Sequence, residues 1–117
     1  LLKSSVSFYD NTESFYHGLV SGLLAGNIYY DMKSNRETGD GRSDLILYRQ
    51  DLFTDAIIIE FKVCKDNEQV DEGAIRALKQ INDMDYASDA REKGYKNILK
   101  YGVAFKNKVC FAVFEKE

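Results

Sequence analysis

The segment Ala56-Ile57-Ile58-Ile59-Glu60-Phe61-Lys62-Val63 limits the fold more than any other stretch of the chain. An unbroken apolar run of this length predicts a strand covered on both faces, hence one at the centre of a sheet. With a side-chain period of two, Glu60 and Lys62 share a face with Ile58, while Phe61 and Val63 face the other way. Burying either charge without a partner would cost several kcal/mol. Two arrangements satisfy them. Either the pair lies at an exposed strand end as a weak ion pair, or Glu60 ligates a metal and Lys62 orients a water beside it.

The rest of the chain reads around this strand. Thr12 to Gly26 carries Phe15, Leu19 and Leu23 at helical spacing, with a cap at Asn11 or Thr12 and a stop at Gly26-Asn27. Ile28 to Asn35 alternates as a strand, the polar stretch from Ser34 to Arg42 is a loop, and Ser43 to Arg49 returns as a strand. Gln50 to Thr54 joins it to the strand Asp55 to Val63. From Glu68 to Lys93, the residues Val70, Ala74, Ala77, Leu78, Ile81 and Met84 predict one long helix ending at Gly94. Ile98 to Phe105 and Val109 to Phe114 form a hairpin through Lys106-Asn107-Lys108. The order αβββαββ predicts an α/β fold, a mixed central sheet flanked by helices.

The 117 residues, 44% hydrophobic and 30% charged, suffice for one core and no more. We therefore expect a single domain over residues 1–117. Lacking an initiator Met and any proline, it reads as a fragment of a longer chain. No apolar run approaches the roughly 20 residues of a membrane span, and the first residues lack the charged, apolar, small-residue pattern of a signal peptide, so a cytoplasmic location with no membrane partner is expected. Cys64 and Cys110 read as small buried hydrophobes kept reduced. With one histidine in the chain, a Cys/His zinc site is nearly excluded.

Asp44 favours the metal reading of Glu60. It stands sixteen residues earlier, on the face of its strand shared with Ile46 and Tyr48, and antiparallel pairing brings it beside Glu60. Two carboxylates placed together repel, and a hard divalent cation with oxygen ligands relieves them.

Asp44, fifteen intervening residues and Glu60-Phe61-Lys62 resemble the Asp…(Asp/Glu)-x-Lys signature of the PD-(D/E)XK nuclease superfamily, with Ser43 where the signature has proline. The element order is similar to that superfamily's restriction-endonuclease-like αβββαβ core. A closer resemblance is to the branch that follows an N-terminal AAA-type ATPase-like domain in bacterial proteins. It rests on Glu13-Ser14-Phe15-Tyr16-His17-Gly18, Ser34-Asn35-Arg36-Glu37, Gly41-Arg42-Ser43-Asp44, Ile59-Glu60-Phe61-Lys62, and Ala77-Leu78-Lys79-Gln80-Ile81 with Tyr86.

The resemblance implies metal-dependent phosphodiester hydrolysis of nucleic acid, DNA before RNA, with Mg²⁺ or Mn²⁺ as cofactor. It implies a metal site at Asp44, Glu60 and the Phe61 backbone carbonyl, with Glu13 reaching the metal directly or through water. Lys62 would position the attacking water, and Gln80 would be a polar residue near the site. An ATPase-like domain in the full-length chain is the implied partner. A homodimer is the expected arrangement for cutting both strands. The alternative is a catalytically silent module with the same fold, which binds or regulates; a purely structural dimerisation domain would leave the charges unexplained.

Other residues carry two readings each. His17 lies on the helical face of Glu13, where it either packs at the surface or reaches a phosphate. Arg36 and Arg42 flank a loop and are either solvated or phosphate contacts. Gly39-Asp40-Gly41 is a turn without the lysine or helix of a phosphate-binding loop. Without the resemblance, Gln80 would be a plain surface glutamine. The net charge of -3 argues against a bulk electrostatic grip on nucleic acid, although Arg91, Lys93, Lys96, Lys100, Lys106 and Lys108 face only Glu92 between residues 91 and 108.

Overall fold

A computed structural model describes residues 30–34, 44–49 and 55–117. The expected helix from Thr12 to Gly26 lies outside the described residues, as do the loop beyond Ser34 and the Gln50–Thr54 connection. Among the described residues five strands form one mixed sheet in the order β1 (Tyr30–Ser34), β2 (Leu45–Arg49), β3 (Asp55–Val63), β4 (Asn97–Lys106), β5 (Val109–Lys116). The pairs are antiparallel except β3 with β4, which run parallel. Parallel neighbours need a long crossover, and the helices α1 (Val70–Asp83) and α2 (Ser88–Glu92) supply it. As its apolar run requires, β3 is the central strand.

Alternation along the strands divides two buried clusters. Ile46, Tyr48, Ala56, Ile58 and Ile98 meet Ile81, Tyr86, Ala87, Ala90 and Tyr95 on the helix-bearing face. Leu45, Leu47, Phe61, Val103 and Phe105 form the cluster on the opposite face.

Helix α1 starts where Glu72 accepts the Gln69 amide at 2.7 Å, a bond that satisfies a donor at the helix entrance. Glu68 accepts the Lys65 amide and takes both guanidinium contacts of Arg76 at 2.9 Å. These hydrogen bonds hold the Glu68 carboxyl at about 2, below the usual range.

The expected single helix from Glu68 to Lys93 is two helices. Asp85 adopts a left-handed backbone with φ 49°, the Asp85 amide bonds the Asn82 carbonyl at 3.2 Å, and the Tyr86 amide bonds the Ile81 carbonyl at 3.0 Å. This is a Schellman ending, and it turns Tyr86 back onto Ile81. The same device closes α2 at the predicted stop: Gly94 has φ 90°, and the Tyr95 amide reaches the Ala90 carbonyl at 3.1 Å. Tyr95 then stacks on Tyr48 with ring centroids 4.9 Å apart.

Gly102 sets how closely α1 lies on the sheet. A Cβ there would sit 2.2 Å from the Ala74 carbonyl oxygen and 2.6 Å from the Leu78 amide nitrogen. The strand and helix backbones meet at a distance no other residue allows. Both cysteines are free, and they are half-buried where small buried hydrophobes were expected. Cys64 sits past the end of β3, where its Sγ faces the Gln69 carbonyl at 3.6 Å.

Candidate active site at the end of the β2–β3 ladder

Strand β2 begins at Leu45, opposite Ile59, while β3 runs on through Glu60, Phe61 and Lys62 to Val63. Asp44 therefore stands at the mouth of the ladder, one step beyond the Leu45–Ile59 pair and across from Glu60. The two residues interlock. Glu60 Oε1 accepts the Asp44 backbone amide at 3.2 Å, and Asp44 Oδ2 accepts the Phe61 amide at 2.9 Å. Both are buried, Asp44 at 5% exposure and Glu60 at 3%. An exposed strand end is thereby excluded for Glu60.

The other Glu60 oxygen meets two further side chains. Lys62 Nζ approaches Oε2 to 3.5 Å from the same face of β3, and Gln80 Nε2 donates to it at 2.9 Å from α1. Gln80 Nε2 also donates to the Tyr86 hydroxyl at 2.9 Å. Gly102 lies beside Glu60 in the parallel register, so the absence of a side chain there lets α1 settle close enough for this contact.

Burial, and next the Asp44 carboxylate, push Glu60 up to about 7, against the pull of Lys62 and of the Asp44 amide. A buried carboxyl beside a second carboxyl is the electrostatic problem that a divalent cation solves. In an antiparallel ladder the N–H and C=O of one residue face the same neighbour. With its N–H on Asp44, Phe61 turns its carbonyl oxygen to that side too. Two hard carboxylates and a carbonyl suit an oxygen-preferring ion such as Mg²⁺. Among the described residues no group of three His, Cys, Asp or Glu side chains gathers. Glu13, His17, Arg36 and Arg42 lie outside the described residues.

The structure thus brings together Asp44, Glu60, Lys62 and Gln80, sets Tyr86 beside Gln80, and adds Gly102. Tyr86 was readable only as part of the Gln80 block of the resemblance, because its helical surroundings give it no role by themselves. Gly102 carried a readable signal, a glycine inside a strand pattern, which marks close backbone approach.

The basic run from 91 to 108 is not a free patch. Arg91 bonds Glu117 at 2.7 Å and Asp85 at 3.1 Å, Lys93 pairs with Asp89 at 3.1 Å, and Lys100 pairs with Glu117 at 3.0 Å. Lys106 donates to the Glu68 carbonyl at 2.6 Å. Part of the local excess counted along the sequence is met by acids from outside that window, at Arg91, Lys93 and Lys100.

The family model of the PD-(D/E)XK nuclease superfamily matches residues 11–115. The chain belongs to this superfamily. Neither the curated proteins nor the solved structures compared with it gave a match. The family is one of nucleases acting on nucleic acid with an α/β fold, and the mixed sheet with helices in its crossover agrees with that fold. Among the described residues no helix is long and apolar enough to cross a membrane.

Proposed function

We propose that this PD-(D/E)XK domain is a divalent-metal-dependent nuclease that hydrolyses phosphodiester bonds, DNA in preference to RNA, at the Asp44–Glu60–Lys62 site. The observation that carries the reading is the interlock of Asp44 and Glu60, with Lys62 and Gln80 on the one Glu60 oxygen that Asp44 leaves open. Asp44, Glu60 and the Phe61 carbonyl would hold Mg²⁺, or Mn²⁺ in its place, with Glu13 as a further acid in direct or water-mediated contact. Such an ion supplies Lewis-acid chemistry, drawing charge from the scissile phosphate.

The chain's own groups do the rest. Lys62, anchored at 3.5 Å from Glu60, presents N–H donors that orient the attacking water and steady the negative charge growing on the phosphate. Gln80 holds Glu60 in one orientation. Glu60, raised to about 7, can release its proton near neutral pH as the ion binds.

The motif blocks around Glu13, Arg42, Glu60 and Gln80 support placing the domain in the bacterial branch that follows an AAA-type ATPase-like domain, as a cytoplasmic enzyme. The test is cleavage of double-stranded DNA and of RNA with Mg²⁺, with Mn²⁺ and with chelator, for the wild type, Glu60→Ala and Lys62→Ala. Metal-dependent cleavage lost in both variants is expected. Cleavage that persists in both would overturn the assignment, and metal binding without any cleavage would identify a silent module.

A further inference from the structure

We propose that Tyr86 is a positioning residue of this site, fixing the Gln80 amide and through it the Glu60 carboxylate. The inference rests on the nuclease reading of Asp44, Glu60 and Lys62, and extends it to a residue on the far side of a helix end.

A glutamine amide nitrogen has two protons to donate. In Gln80 both are committed, one to Glu60 Oε2 and one to the Tyr86 hydroxyl oxygen, each at 2.9 Å. Two acceptors on one nitrogen define the plane of the amide, and they leave its carbonyl oxygen pointing elsewhere. With the hydroxyl removed, one amide proton loses its acceptor and Glu60 alone is left to hold the plane of the amide.

Tyr86 itself has little freedom. It is buried, and its ring packs in the cluster of Ile81, Ala87 and Ile58. Burial, with the Glu60 and Asp44 carboxylates nearby, pushes its hydroxyl pKa up, so the oxygen that accepts from Gln80 stays neutral at neutral pH.

The backbone delivers this contact. Had α1 continued, six residues would carry Tyr86 about 600° around the axis from Gln80, about 120° off its face and some 9 Å along. The left-handed Asp85 ends the helix instead, and the Tyr86 amide folds back to the Ile81 carbonyl at 3.0 Å. The interruption that separates α1 from α2 is thereby part of the site's construction.

Tyr86→Phe keeps the ring and removes only the hydroxyl. The experiment measures Mn²⁺ affinity by titration calorimetry, and kcat and KM on a short duplex, for the wild type, Tyr86→Phe, Gln80→Ala and the double variant. Losses from groups that orient a ligand run about tenfold or more in metal affinity. Each single variant is expected to lose about that factor in affinity and in kcat, with KM for the duplex unchanged. Tyr86→Phe should cost nothing further in the Gln80→Ala background. Wild-type affinity and kcat in Tyr86→Phe, or losses that multiply in the double variant, would overturn the proposal.

If the wild type neither binds Mn²⁺ nor cleaves, the nuclease reading itself has failed. The side-chain amide signals of Gln80 in a ¹⁵N spectrum still decide the contact. Displacement of both protons in Tyr86→Phe upholds it, and unmoved signals refute it.

Discussion

Asp44 and Glu60 each hold the other's strand by a backbone amide: Glu60 Oε1 takes the N–H of Asp44, and Asp44 Oδ2 takes the N–H next to Glu60, that of Phe61. The carboxylates are fastened to the ladder mouth before any ion arrives, so metal binding needs little rearrangement. Fastening them has an electrostatic cost, and that cost is measurable.

Glu60 titrates at about 7 in the folded chain against 4.5 as an ordinary glutamate. The folded state holds the proton more tightly, so the associated stability is complete below pH 4.5 and is lost as pH rises towards 7. The loss is roughly 3 kcal/mol at most. Urea denaturation of metal-free protein at pH 5 and pH 8 should show the decline. Glu60→Gln should flatten it, and saturating Mg²⁺ should reverse it.

Gly102→Ala would drive a methyl group into the Ala74 carbonyl, 2.2 Å from the new Cβ. The helix must lift from β4, carrying Gln80 away from Glu60. Destabilisation of about 1–3 kcal/mol by urea denaturation is expected. Displacement of Gln80 should also lower the cleavage rate by up to about a hundredfold, measured under saturating metal.

Asp85 holds a left-handed backbone that costs a residue with a side chain about 1–2 kcal/mol. Asp85→Gly relieves the backbone but removes the exposed pair with Arg91 and frees the unfolded chain, so stability should change by less than about 1 kcal/mol with cleavage unchanged. Asp85→Val, a β-branched residue at the same φ, should lower stability and reduce cleavage by displacing Tyr86. Thermal melts with parallel rate measurements separate the two.

Because Arg91 and Lys106 are committed within the protein, neither is available to phosphates. Arg91→Ala and Lys106→Ala should each change affinity for duplex DNA by less than about twofold in fluorescence anisotropy at fixed salt. A tenfold loss in either would restore the basic stretch as a binding surface.

Strand periodicity made most of the sheet legible. The bounds of β3 and the antiparallel placement of Asp44 beside Glu60 follow from alternation and register alone. The end of α2 was legible because Gly94 is the residue type that a left-handed ending favours. The end of α1 was not, because Asp85 does the same work and the apolar spacing runs through it to Met84. Asn82, Asp83 and Asp85 were the available hint, short polar side chains that compete for backbone groups and weaken a helix. Charge was misleading for another reason. Asp85, Asp89, Glu115 and Glu117 pair with Arg91, Lys93 and Lys100 from flanking positions, which a count over the run alone leaves out.

The one parallel seam in the sheet imposes an order of assembly. Asp44 and Glu60 lie on adjoining antiparallel strands sixteen residues apart, whereas β3 finds β4 only across the whole crossover, Asp55 opposite Asn97. Near neighbours along a chain meet sooner than distant ones. A refolding molecule should thus bring its two acids together before β4 is in place, and pulse-labelled exchange should protect the Phe61 amide, held by Asp44, before the Cys64 amide, held by the Phe105 carbonyl across the parallel seam. In that interval, nothing from the crossover yet steadies Glu60.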